Sequence, residues 1–78
     1  MVDVILYSAP NCPWCVRVRE FLTEHSIKFK VIDVSEDEAA AREMIQKSGQ
    51  MGVPVTDIGG EMVVGFNEPQ LKKLLGLK

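Results

Sequence analysis

Cysteine, histidine and aromatic side chains are scarce in this 78-residue sequence, which has two Cys, one His, one Trp, one Tyr and three Phe. A structural zinc site takes about four ligands, and beyond Cys12 and Cys15 the chain offers only His25. Ligand count alone disfavours a metal-built fold, so no metal site is expected. Long apolar runs are missing too. The longest uncharged one, Val4–Tyr7, falls far short of the roughly 20 residues of a membrane helix, and Asp3 stands where a secretory signal carries basic residues. The expectation is a cytoplasmic protein with no membrane partner. Nor is there an excess of one charge. Residues 1–39 hold four basic and seven acidic residues, residues 40–78 hold five and four, and the net charge is −2. Without a basic patch there is no nucleic-acid footprint. No segment combines low complexity with a charge bias, which argues against disorder.

What is present is a globular composition, 46% hydrophobic and 26% charged, with room for one domain over residues 1–78. A chain of this size buries only about 60% of the surface its unfolded form exposes. The two cysteines look like a staple for so thin a core, but they stand only three residues apart. A bridge closing that ring is worth roughly 2 kcal/mol, against about 4 for a fifty-residue loop. It would tie down nothing beyond its own turn.

Val2–Tyr7 is nearly continuous in apolarity and stops at Ser8, Ala9 and Pro10, the pattern of a strand buried on both faces. From Pro13 to His25, Val18, Phe21, Leu22 and His25 recur at helical spacing. Ile27, Phe29 and Val31 alternate with lysines before Ile32 and Val34, a strand near a sheet edge. Ser35 ahead of Glu36, Asp37 and Glu38 reads as a helix cap, with the helix running to about Lys47, Gly49 as its stop, and Ala40, Ala41, Met44 and Ile45 facing inward. Val53–Ile58, Gly59-Gly60 and Glu61–Gly65 spell a hairpin. Asn67 then caps a last helix with Pro69 in its first turn, Gln70 closing a capping box, and Leu71, Leu74 and Leu75 toward the core. The order βαβαββα implies a four-stranded mixed α/β sheet flanked by three helices, its first crossover right-handed.

Cys12-Pro13-Trp14-Cys15 follows the first strand and opens the first helix. A C-x-x-C in that setting is a redox signature. At a helix N-terminus the first cysteine meets free backbone amides and the positive dipole end, which favour thiolate over thiol. Three residues make about one turn, so Cys15 lies within disulfide reach beneath Cys12. Cys12 is therefore the candidate nucleophile and Cys15 the resolving thiol. Pro13 is tolerated where no intrahelical amide bond is lost. Trp14, between the cysteines, is a candidate platform for substrates. Tyr7, at the end of the first strand, is a candidate cleft residue or a core tyrosine. An iron–sulfur cluster shared through Cys12 of a dimer is an alternative.

Together Cys12-Pro13-Trp14-Cys15, Gly52-Val53-Pro54 and Gly65-Phe66-Asn67-Glu68 resemble the glutaredoxins, within the thioredoxin superfamily, over essentially the whole chain. Gly65-Phe66 is closer to the small glutaredoxin-like redoxins that reduce ribonucleotide reductase and take electrons from thioredoxin reductase. The resemblance implies a thioredoxin-like fold and a monomeric dithiol–disulfide oxidoreductase. It implies no bound cofactor, disulfide-containing protein substrates, and electrons from thioredoxin reductase and NADPH or from glutathione. A glutathione-dependent, monothiol-type activity is the alternative. It also implies a cis Pro54, which position alone would leave trans, and backbone groups at Val53 free to pair with a substrate. Gly65, Phe66 and Asn67 would add to that binding surface, although capping alone explains Asn67 and core packing alone explains Phe66. The sequence departs from the family where it handles glutathione carboxylates. Ala9 stands in place of a common lysine, Gly52 in place of a threonine, and Gln50 where some members are basic. Weak glutathione binding is expected, with a Cys12 thiolate less favoured than in lysine-bearing relatives.

Overall fold

The computed structural model describes residues 3–77, so Val2 of the expected first strand lies outside the described residues. The elements follow the order β1 (Val4–Ser8), α1 (Pro13–Glu24), β2 (Lys30–Asp33), α2 (Glu38–Ser48), β3 (Val55–Ile58), β4 (Glu61–Val64) and α3 (Glu68–Leu75). They build one mixed sheet in the order β2-β1-β3-β4. β1 runs parallel to β2, and β3 runs antiparallel to both β1 and β4. The continuous apolarity of β1 is explained by its inner position, and the exposed lysine side of β2 by its place at the edge.

Register divides the side chains between two faces. Val4 pairs with Ile58 and Leu6 with Thr56, and on that side lie Val18, Phe21 and Leu22 of α1 with Leu71 of α3. Tyr7 pairs with Val55, and on the other side both pack with Ala40 and Met44 of α2. Gly59 and Gly60 join β3 to β4 with φ of 58° and 97°, a tight turn open to glycine at both central positions.

Several boundaries differ from the sequence reading. Residues 27–29 precede β2, because the first of them follow the left-handed Ser26 (φ 56°) that leaves α1. Asp37, not Ser35, caps α2, its carboxylate accepting the Ala40 N–H at 3.0 Å. Ser35 is taken up by a turn in which its N–H donates to the Asp33 carboxylate at 2.9 Å. Aspartate is as good a cap as serine, so the turn decided between them. Ile45, expected inward, is exposed, and Ala41 is half-buried. Gln70 does not close a capping box. Its N–H donates to the Asn67 carboxamide and its own carboxamide accepts from Asn67 Nδ2, so the two side chains satisfy one another.

β3 is buried throughout, although two of its four residues are polar. Asp57 is compensated: it accepts the Gly60 N–H at 2.8 Å and lies 3.5 Å from the Lys47 ammonium, which also pairs with Glu43 at 2.8 Å. The latch ties the end of α2 to the middle of the sheet.

Candidate active site

The site grows from the loop between β1 and α1. Asn11 adopts a left-handed conformation (φ 57°), which asparagine tolerates better than most residues, and turns the chain so that Cys12 becomes the N-cap of α1. The Cys12 sulfur accepts the Cys15 N–H at 3.1 Å, while its carbonyl accepts the Val16 N–H at 3.3 Å. No acidic residue occupies the first turn, so nothing there opposes a negative sulfur at the positive end of the helix. Cys12 and Cys15 are joined as a disulfide with a Cα separation of 5.2 Å. Cys12 is half-buried and Cys15 is 4% exposed, so the first sulfur is the one a substrate can reach.

Two grooves flank this pair. The first, about 300 Å³, is lined by Trp14, Val53, Pro54, Gly65 and Phe66. Trp14 is 58% exposed and stacks on Phe66 with ring centroids 6.4 Å apart, and Phe66 in turn meets Phe21 edge-on at 5.9 Å. Phe66 thus joins the core to the cleft instead of belonging wholly to either. The Val53–Pro54 bond is cis, and the Pro54 carbonyl accepts the Gly65 N–H at 2.8 Å, which holds these two loops together. Neither the N–H nor the carbonyl of Val53 has a backbone partner among the described residues. The second groove, about 290 Å³, is lined by both cysteines with Val16 and Arg19 of α1 and Val31 and Asp33 of β2.

Of the residues singled out from sequence, Trp14, Val53, Pro54, Gly65 and Phe66 line the first groove, and Cys12 and Cys15 line the second. Pro13 is exposed in the first turn. Tyr7 does not join them. It is 2% exposed on the α2 face, where its place in the alternation of β1 turns it away from Leu6 and the α1 side. Asn67 spends its side chain on capping α3. That Arg19 and Asp33 line one groove with the dithiol is not legible in the sequence, because α1 and β2 are brought together only through the parallel pairing of β1 and β2. Asn11 was legible in principle, as a residue tolerant of positive φ directly before a helix cap. Among the described residues no group of three His, Cys, Asp or Glu side chains stands close enough to hold a metal ion.

An accessible sulfur at a helix N-terminus over a buried partner, on a sheet of this topology, defines a thioredoxin-like thiol–disulfide oxidoreductase. Residues 4–63 match the glutaredoxin family model. The chain belongs to the glutaredoxin family. It is 41% identical over 70 residues to an uncharacterized glutaredoxin-like 8.6 kDa protein in the rubredoxin operon of Clostridium pasteurianum, covering 90% of this chain and 93% of that one. It is 36% identical to the N-acetyl-S-hydroxy-L-cysteine reductase of Bacillus subtilis over 76 residues, 95% of this chain and 81% of the relative. A crystal structure of a mutant of the thioredoxin-like protein BC3987 superposes with a TM-score of 0.92 at 33% identity, covering the whole of both chains.

Proposed function

We propose that the protein reduces disulfides by a dithiol route. Cys12 as thiolate attacks one sulfur of a substrate disulfide, forming a mixed disulfide and releasing the other half as a thiolate. Cys15 then attacks Cys12, releasing the first half reduced and closing the Cys12–Cys15 bridge, so two electrons pass from the dithiol to the substrate. The observation that carries this reading is the asymmetry of the pair: a half-buried Cys12 sulfur facing the Cys15 amide, above a buried Cys15. The Val53 backbone and the Trp14–Phe66 platform receive the substrate chain by strand addition and stacking. Protein disulfides are the substrates, in the cytoplasm, and electrons return from thioredoxin reductase and NADPH or from glutathione. No helix among the described residues is long and apolar enough to cross a membrane.

Changing Cys15 to serine tests the route. The variant is expected to accumulate a stable mixed disulfide between Cys12 and a protein substrate, visible as a dithiothreitol-sensitive band in non-reducing gels. Full multiple turnover of glutathione mixed disulfides by the same variant would instead establish a monothiol, glutathione-driven enzyme. A coupled NADPH assay assigns the donor, with thioredoxin reductase in one cuvette and glutathione plus its reductase in the other. A second reading, reduction of a small sulfur compound, is favoured by the name of the Bacillus subtilis relative, a reductase of a cysteine derivative.

A further inference from the structure

We infer that the groove between α1 and the start of α3 seats a basic side chain of the protein substrate, so that the enzyme prefers disulfides with lysine or arginine about four or five residues from the reacting cysteine. The inference rests on the dithiol reading above and adds a charge specificity to it.

Trp14, Arg17, Phe21 and Glu24 stand at i, i+3, i+7 and i+10, one stripe down α1 on the side of Phe66. Below Trp14 this stripe lines a groove of about 210 Å³ together with Glu20, Phe66 and Glu68. Phe66 also lines the groove of Trp14 and Pro54, so the two open on the same ring and a substrate chain leaving the first enters the second. Helix rise sets Glu20 and Glu24 about 12 and 18 Å along the axis from Cys12, a span that an extended chain covers in about four or five residues.

α1 breaks a charge pattern that the other helices keep. The glutamates of α2 and α3 each pair one turn on, Glu38 with Arg42, Glu43 with Lys47 and Glu68 with Lys72, and both helices carry lysine in the last turn. Glu20 and Glu24 make no ion pair among the described residues, and the last turn of α1 holds no base. Two carboxylates one turn apart in the C-terminal half of a helix oppose each other and the dipole. A basic side chain from a partner relieves both costs. The rest of the groove selects the same ligand. No three acidic groups among the described residues stand close enough to hold a metal ion. The aromatic lining of Phe21 and Phe66 suits the methylene stem and the charged end of a lysine or arginine. Arg17 stands nearer the dithiol, and Glu68 is already paired, which leaves Glu20 and Glu24 as the free charges.

Single-turnover reduction by the prereduced protein tests this. The probes are disulfide-linked dimers of end-blocked Cys-Ala-Ala-Ala-X and X-Ala-Ala-Ala-Cys peptides, with X lysine or glutamate. Each dimer takes two electrons and yields two peptide thiols as the Cys12–Cys15 bridge closes. In at least one orientation the wild type should reduce the lysine dimer about fivefold faster than the glutamate dimer, as expected for exposed ion pairs. Glu20→Gln with Glu24→Gln should remove most of that preference, and both residues are exposed, so the change spares the fold. Glu36→Gln with Glu61→Gln takes the same charge from outside the groove and should move the preference less than about 1.5-fold, since distant exposed charges are screened. No preference in the wild type, an unchanged one in the Glu20 and Glu24 variant, or an equal fall in both double variants would overturn the subsite while leaving the dithiol route intact. Failure of the wild type to reduce neutral hydroxyethyl disulfide would overturn both.

Discussion

The two faces of the sheet are held by different physics. On the α1 and α3 face, Val4, Leu6, Val18, Leu22, Ile58, Val63 and Leu71 are all buried hydrocarbon, and Phe21 extends this cluster through Phe66 to the cleft. On the α2 face the buried set is smaller, Tyr7, Ala40, Met44 and Val55, and a polar latch of Glu43, Lys47 and Asp57 completes it. The dithiol helix thus stands on the larger core. A redox dithiol that must keep its geometry in both oxidation states needs a rigid footing, and close-packed hydrocarbon supplies it without depending on the bridge.

Truncation on each face probes this difference most strongly. Leu22→Ala is expected to cost about 3–4 kcal/mol and Met44→Ala about 2, because a cavity beside a half-wet surface collapses more easily. Urea denaturation measures both, and equal losses would erase the asymmetry. Next comes the bridge itself. Reduction is expected to cost no more than about 2 kcal/mol, since the ring it closes is so short. Thermal melts of the oxidised and reduced forms would show it, and collapse of the reduced form would make the bridge a support of the α1 face after all.

The smallest effects belong to the latch. Asp57→Asn keeps an acceptor for the Gly60 N–H but removes the charge facing Lys47, at an expected cost of about 1 kcal/mol. The same cluster sets an alkaline limit. Burial, with Glu43 and Asp57 adding to it, pushes the Tyr7 phenol above its ordinary 10.0, while Lys47 nearby lowers it in part. The hydrogen bond that Lys47 donates to Glu43, and the charge of Glu43, push Lys47 above 10.5 against some desolvation. Both groups hold protons more tightly folded than unfolded, so their contribution is complete below the unfolded values and is lost as pH rises through the folded ones. The urea midpoint should therefore fall above pH 10, and Tyr7→Phe should flatten part of that fall. A midpoint unchanged to pH 11 would remove the latch from the comparison.

The sequence by itself determined the elements that carry their own signals. Helical spacing of Val18, Phe21 and Leu22, the Gly59-Gly60 turn, the Asn67 cap and the Gly49 stop all depend on residues a turn or less apart, and each appears where the sequence reading placed it. The redox pair was legible for the same reason, because one helical turn sets the relation of Cys12 to Cys15. What only the tertiary structure decided are matters of side and partner. Tyr7 goes to the α2 face because the pleat alternates and its pairing with Val55 fixes the sense. Asp57 is tolerated in a buried strand because Lys47, ten residues earlier, arrives on another element. Arg19 and Asp33 line one groove with the dithiol because β2 lies parallel to β1, a pairing between segments more than twenty residues apart. Local chemistry placed the redox pair, and the long-range pairing of strands chose what stands beside it.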